Sequence, residues 1–115
     1  EYLDILINKS EKVVAILTGD EHNYCRTEIG PKTEIYPEGY PEEKKLKLNR
    51  TIMQVNNGAA GAPYYAQEIT PWTPFTSGFT TQHALVIMKI EGAFIEMQVL
   101  NPDTLEEIEA VVLRK

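Results

Sequence analysis

The stretch Gly19-Asp20-Glu21-His22 holds the residues of this sequence that are best suited to metal chemistry. Asp20 and His22 are two positions apart, so in an extended loop their side chains point to the same side. A carboxylate oxygen and an imidazole nitrogen on one side can form half of a metal site. The same spacing also suits an ordinary turn, and both interpretations stay open on these four residues alone.

The neighbouring elements are predicted to place this stretch at the end of a buried strand. Apolar spacing in residues 1–9 predicts a short N-terminal helix. Residues 13–17 are all apolar, which predicts a buried central strand. A strand that ends in a loop of polar side chains is a common way for α/β folds to build a site.

The rest of the chain predicts mostly β structure. Residues 50–55 predict a second strand, which ends in a glycine-containing turn with Asn57 and Gly58. Residues 83–90 and 95–99 alternate in polarity and predict a hairpin around Glu91-Gly92. Residues 105–113 favour a third strand of a meander, with a short helix as the alternative. The first hairpin strand is predicted to carry Ala84, Val86, Met88 and Ile90 on one face, and the last strand alternates through Ile108, Ala110 and Val112.

Two long loops are predicted, at about residues 28–49 and 62–82, within a single α+β domain covering residues 1–115. The second loop is rich in aromatic residues, which include Tyr64, Tyr65, Trp72 and Phe75. These side chains suit either a rim that selects the leaving group of a substrate or a small core beneath the loop, and the core is favoured. His83 is predicted to be structural.

The segment from residue 3 to residue 27 resembles the last metal-binding motif of the calcineurin-like metallophosphoesterases, in particular the purple acid phosphatase branch. That motif has a helix, a hydrophobic strand, and Gly-His-x-His followed by Asn or Ala, Tyr, a variable residue and Arg. Gly19, His22, Tyr24 and Arg26 match it in order and spacing, whereas Asp20 replaces the first His. The strand and turn at residues 51–61 and the closing hairpin are similar to later parts of the same family's domain.

The resemblance implies a fold, a reaction and a set of site residues. The chain would be the C-terminal half of a metallophosphoesterase β-sandwich, and the full-length protein would be a phosphatase that hydrolyses phosphoesters with two divalent ions, chosen from Fe, Zn, Mn or Mg. His22 and Asp20 would be metal ligands, and no residue is assigned as catalytic. A carboxylate at position 20 favours hard ions such as Mn, Mg or Ca over Zn. The residues that could contact substrate or support the ligands are Asn23, Tyr24, Arg26, Asn57 and Gly58. For Tyr24 and Arg26 the alternative, packing and surface charge, is favoured.

The family's earlier ligand motifs do not occur in the sequence. The expected partner is therefore the N-terminal half of the same domain, and the 115-residue chain alone is expected to be inactive. If that half is missing, exposed apolar surface is expected to cause self-association. The alternative is a non-catalytic β-rich binding or interaction module that shares only the shape, and the two functions differ in whether His22 matters.

Composition narrows the possible partners and the location. The net charge of −6 argues against a large nucleic-acid interface, which would need a basic face. No apolar run approaches the roughly 20 residues that cross a bilayer, so no membrane partner is expected. The single cysteine, Cys25, cannot form an internal disulfide. The resemblance implies a secreted or periplasmic protein.

Overall fold

The computed structural model describes residues 1–63, 66–67, 69–70 and 72–114, which form a mostly β structure with two sheets and little helix. Sheet A has four strands in the order β1-β3-β2-β4, and sheet B has three in the order β5-β6-β7. The strands are Ala15–Thr18 (β1), Tyr24–Ile29 (β2), Ile52–Asn57 (β3), Thr76–Thr80 (β4), Leu85–Glu91 (β5), Phe94–Leu100 (β6) and Glu107–Arg114 (β7). Short helical segments lie at Asp4–Asn8, Glu42–Lys44 and Thr73–Phe75. None of the helices in the described residues is long and apolar enough to cross a membrane.

The predicted N-terminal helix is present as a short π-helix at Asp4–Asn8, and Arg50 holds its carboxyl end. The Arg50 guanidinium donates to the carbonyl oxygens of Leu6 and Ile7 at 2.9 and 2.8 Å. It also donates to the carbonyl oxygen of Val13, at 2.7 Å, just before β1. The last carbonyls of a helix lack partners within the helix, so Arg50 satisfies them and ties the helix to the start of β1.

β1 lies at an edge of sheet A, which corrects the prediction of a central strand. The strand pairs in parallel with β3, so that Ala15 lies beside Met53 and Thr18 beside Asn56. No described residue pairs with the other edge of β1, and Leu17 is 58% exposed. An all-apolar strand is typical of a position covered on both sides. The apolar run therefore predicted that neighbouring elements bury β1 more completely than the described residues do.

Neither β2 nor β4 was predicted as a strand: β2 follows the ligand loop and overlaps the first predicted loop at residues 28–29, and β4 lies within the second predicted loop. The first predicted loop begins only after Ile29, and the second contains β4 and the helical turn before it. β4 reads Thr-Ser-Gly-Phe-Thr and has no alternation of apolar and polar residues. Pairing with β2 holds the strand in place, with Cys25 beside Phe79 and Arg26 beside Gly78. Contact with a neighbouring strand, rather than its own pattern, therefore specifies β4.

Sheet B is the predicted meander. β5 and β6 form a hairpin in which Leu85 lies opposite Leu100 and Glu91 opposite Phe94. Gly92 in the turn has φ +59°, a conformation that glycine adopts without strain. β7 pairs antiparallel with β6, which confirms a strand rather than a helix at the end of the chain. Of the residues predicted to share one face, Ala84 just before β5 is buried and Val86 and Met88 pack against the core, whereas Ile90 at the strand end is 64% exposed.

β7 changes face at an irregularity in its pairing with β6. Val99 lies beside Glu109, whereas the next residue, Leu100, lies beside Glu107, so β7 contains one extra residue there. Such a bulge reverses the alternation that follows it. Val111 and Leu113 consequently pack against the core, whereas Ala110 and Val112, which alternate with Ile108 in the sequence, are exposed.

The main core lies between the two sheets. Tyr24 on β2 and Val55 on β3 pack with Met97 and Val99 on β6, and each of the four side chains is at most 1% exposed. Burial of apolar surface of this kind is the dominant favourable contribution to folding. The interior face of sheet A therefore packs against sheet B. On its opposite face, Ile29 and Ile52 form a second core cluster with Ile7 and Leu48, and the rest of that face lines a cleft.

Candidate functional site

The predicted ligand loop, residues 19–23, connects β1 to β2 at one end of sheet A. β1 and β3 are parallel, so their carboxyl ends lie at the same edge of the sheet. The loop that follows β1 therefore meets the glycine-containing turn that follows β3, residues 58–63. The two segments that the resemblance assigned to one site are adjacent.

Asn56, the penultimate residue of β3, holds the ligand loop by its side chain. Its Nδ2 donates to the carbonyl oxygens of Glu21 and Asn23 at 2.8 and 2.9 Å, and lies 3.3 Å from Oδ1 of Asn23. Its Oδ1 accepts a hydrogen bond from the Thr18 hydroxyl at 3.3 Å. Asn56 is only 8% exposed, so these contacts are shielded from water. The sequence pattern indicated Asn57 and not this neighbour.

Gly58 lies directly against the ligand loop. Its backbone N–H donates to the carbonyl oxygen of Asn23 at 3.1 Å. A Cβ at this position would collide with the carbonyl oxygen of Glu21 and lie 2.9 Å from that of Gly19. Only glycine allows the two backbones to approach this closely. The predicted role of Gly58 at the site agrees with this position.

The imidazole of His22 is oriented by the turn after β3. Its Nδ1 lies 2.7 Å from the carbonyl oxygen of Pro63. A carbonyl oxygen only accepts hydrogen bonds, so Nδ1 carries the proton in this contact. In the neutral ring the lone pair is then on Nε2. Histidines that bind metals are commonly oriented in this way, by donation from one ring nitrogen to a backbone carbonyl.

His22 and Asp20 fit a metal site in part. An imidazole with its lone pair on Nε2 and an exposed carboxylate are suitable donors for a divalent ion. Within the described ranges, no group of three or more His, Cys, Asp and Glu side chains lies close enough together to hold a metal ion. The two residues therefore account for part of a ligand set.

Asn23 and Asn57, two predicted supporting residues, have different positions. Asn23 is 5% exposed, and its backbone N–H donates to the carbonyl oxygen of Glu21 at 2.8 Å inside the loop. Asn57 faces sheet B, where its Nδ2 donates to the carbonyl oxygen of Ala84 at 3.3 Å. Its Oδ1 is buried and has no hydrogen-bond partner among the described residues.

Tyr24 and Arg26 lie between the sheets, on the face of β2 opposite to the cleft. Arg26 Nε and one of its terminal nitrogens donate to the two carboxylate oxygens of Glu109 on β7, at 2.9 and 3.1 Å. The Tyr24 hydroxyl donates to the same carboxylate. The structure thus gives both residues a contact that joins the sheets, and their predicted contact with substrate has no support in this geometry.

The surroundings shift the pKa values of the Tyr24 hydroxyl, the Arg26 guanidinium and the Glu109 carboxyl group. Burial, followed by the Glu109 carboxylate, raises the pKa of the Tyr24 hydroxyl far above its ordinary value. Burial also acts to raise the pKa of Glu109, but hydrogen bonds from Arg26 and Tyr24 outweigh it and hold that pKa below its ordinary value. The hydrogen bond to Glu109 raises the pKa of Arg26. Glu109 is therefore a carboxylate that folding stabilises in its ionised form.

A cleft of about 640 Å³ lies along the outer face of sheet A. The strands contribute side chains such as Thr18, Cys25, Gln54 and Asn56, and Asp20 lies at the ligand-loop end. Trp72 lines the cleft and is 46% exposed, which suits the predicted rim better than a buried core. Tyr64 and Tyr65, assigned to the same rim or core, lie outside the described residues.

No family model, curated protein or solved structure matches this chain. The geometry of the ligand loop and the resemblance of its motif are therefore the basis for a proposed function. Asn56, Pro63 and Glu109 are the residues of this region that the sequence did not single out. The sequence did contain an indication of Asn56. The predicted strand runs into two consecutive asparagines, and side chains alternate along a strand, so one asparagine lies on each face of the sheet.

Proposed function

We propose that this chain is the C-terminal part of a calcineurin-like metallophosphoesterase of the purple acid phosphatase branch, and that it supplies metal ligands for phosphoester hydrolysis. The observation that carries the proposal is the His22 imidazole, which donates from Nδ1 to the Pro63 carbonyl and so keeps its lone pair on Nε2. That ring is part of a loop fixed at the end of two parallel strands.

The chain's own residues would bind and orient the metal centre. His22 would contribute an imidazole nitrogen, and Asp20, where the family motif has His, would contribute a carboxylate oxygen. Two divalent ions, when bound, supply positive charge that activates water and stabilises the phosphoryl group under attack. The Asn56 and Gly58 contacts would keep the two ligands in place, because they fix the backbone of the loop on either side of them.

The proposed partner is the N-terminal half of the same domain. β1 is apolar up to its last residue, and among the described residues it pairs on one side only and exposes Leu17. A further strand beside it would complete the cover that its sequence suits. The open cleft on the outer face of sheet A, lined in part by Leu3, Ile16 and Trp72, offers a second surface for the same partner.

The exposed edge of β1 predicts that the 115-residue chain associates with itself in the absence of that partner. Leu17→Lys places a charge on the edge, where it opposes strand pairing between copies. The expected result is a shift from oligomer to monomer in light scattering at equal concentration. Leu105→Lys makes the same change in the exposed turn before β7, outside every described strand; it is the matched control and should leave the oligomer unchanged. A wild-type chain that is a compact monomer would contradict the prediction.

A non-catalytic binding or interaction module is the second candidate. The observation that favours it is the exposed face of sheet B, where Leu85 and Ile87 are each 44% exposed and Val112 is 41% exposed. Apolar side chains on one face of a sheet suit a protein partner. In that case the His22 imidazole would have no chemical role, and its replacement would be silent.

The metal content of the longer protein tests the proposed function directly. Elemental analysis of wild-type protein is expected to find two divalent ions per chain, and His22→Ala is expected to lose one of them. His83→Ala is the matched control, because His83 is the only other histidine and lies exposed before β5. Equal metal content in all three proteins would reject the metallophosphoesterase assignment and favour the interaction module.

A further inference from the structure

We infer that residues 56–63, here called the cradle, position the ligand loop before any metal binds and place the proton of the neutral His22 ring on Nδ1. The inference rests on the proposed function only in taking His22 as a ligand. The cradle consists of the end of β3 and the turn after it. Asn56, Gly58 and Gly61 would be positioning residues, because they act on the metal only through the loop.

The first contact of the cradle is the Asn56 amide. Its Nδ2 reaches the carbonyl oxygens of Glu21 and Asn23, which flank His22 on both sides. Its Oδ1 accepts from Thr18, the last residue of β1. An amide has both donors and an acceptor, which this position uses, whereas a carboxylate has acceptors only. Asn56→Asp would therefore place a negative charge against two carbonyl oxygens and release the loop.

The second contact is a close approach between backbones, which is possible because Gly58 has no side chain. The carbonyl oxygens of Glu21 and Gly19 occupy the space that a Cβ at this position would need. The N–H of the same residue donates to the carbonyl oxygen of Asn23 at 3.1 Å. The cradle thus fixes the backbone of residues 19–23 without any contribution from a metal.

The third contact sets the His22 ring. Gly61 has φ +97°, in the left-handed region that favours glycine, and its N–H donates to the carbonyl oxygen of Ala59 at 3.0 Å. This tight turn brings the Pro63 carbonyl oxygen to within 2.7 Å of Nδ1 of His22. Because that oxygen requires a proton on Nδ1, the turn determines which nitrogen keeps its lone pair.

The tautomer of His22 in the metal-free 115-residue chain tests the inference. Long-range proton–nitrogen NMR correlation spectra distinguish Nδ1–H from Nε2–H rings once the rings are neutral. His83 is the only other histidine, so its signals can be assigned with His83→Gln. We expect His22 in the Nδ1–H form. A wild-type His22 that is mixed or in the Nε2–H form would overturn the inference without any variant.

Two matched pairs of variants identify the cradle as the cause. Gly61→Ala is compared with Gly92→Ala, because both glycines have positive φ and a Cβ added at either one would have no atom within 4 Å. Asn56→Asp is compared with Asn101→Asp, the same change in an exposed turn. Gly61→Ala and Asn56→Asp are expected to lower the Nδ1–H to Nε2–H ratio about fivefold or more, the equivalent of one hydrogen bond. The two controls should leave the ratio unchanged.

The outcomes separate this inference from the proposed function. If a folded Gly61→Ala chain keeps the wild-type ratio, the cradle does not select the tautomer and the inference is overturned. If His22 has the expected tautomer but His22→Ala leaves the metal content of the longer protein unchanged, the positioning stands and the metal role is rejected. Gly61 is exposed, so its variant is expected to fold even if Asn56→Asp does not.

Discussion

Replacing His22 with alanine in the longer protein is expected to lower kcat/KM for phosphoester hydrolysis by more than about 100-fold. Replacing a residue that only orients a metal ligand typically costs roughly 10–100-fold in activity or metal affinity, so removing the ligand itself should cost more. The loss should appear mainly in kcat, because the proposed metal centre would stabilise charge that develops in the transition state. Chromogenic phosphate monoesters and diesters, measured in parallel, would also show which ester is preferred.

His83→Ala is the control for the His22 measurement, since it removes an imidazole that lies outside the ligand loop. It should retain wild-type kcat/KM. Asp20→Asn keeps the size of the side chain and removes its charge, so a loss of activity there would assign the carboxylate as a ligand. Full activity in His22→Ala, with the fold intact, would contradict the proposed function.

Replacing Glu109 with alanine is expected to lower the free energy of unfolding by about 3–5 kcal/mol, the cost of breaking a buried ion pair from one side. The change would leave the Arg26 guanidinium, whose side chain is 10% exposed, without its carboxylate, and the Tyr24 hydroxyl without its acceptor. Urea denaturation of the 115-residue chain measures the loss. Glu107→Ala is the control, because Glu107 is exposed on the same strand and bonds only to the Gln98 amide among the described contacts.

The same carboxylate gives the stability a defined pH dependence. The folded-state pKa of Glu109 is lowered, so its contribution is fully present above its ordinary pKa of 4.5 and is lost as the pH falls through the folded value. Wild-type stability should therefore decrease below about pH 4.5 more steeply than that of Glu109→Gln. Equal acid dependence in the two proteins would contradict the lowered pKa.

The parts of the fold that could be predicted from the sequence are those with local patterns. Alternation around Glu91-Gly92 predicted the hairpin, and the buried residues Met97 and Val99 follow from it. β4 has no such pattern, because its place depends on pairing with β2. The face of β7 could not be read from alternation either, since the bulge near Ile108 shifts the register by one residue.

In the candidate site, the sequence indicated the residues whose side-chain type suits the proposed chemistry. His22 matches the family motif, Asp20 stands where that motif has its first His, and Gly58 was indicated by the glycine-containing turn after the second predicted strand. Asn56 and Pro63 act through contacts that span 33 and 41 positions, and one is a backbone oxygen that any residue could supply. Tyr24 and Arg26 matched the motif, yet the structure uses them to bind Glu109, a partner that no local pattern indicates.

The Arg26–Glu109 ion pair also limits when β2 can be fixed in place during translation. The strand after the ligand loop is anchored by a residue 83 positions further along, so the anchor does not exist until nearly all of these residues have left the ribosome. A contact between positions so distant is slow to form, because the loop between them must close first. β2 therefore leaves the ribosome well before Glu109 does, and the ion pair between them can form only after β7 has been synthesised.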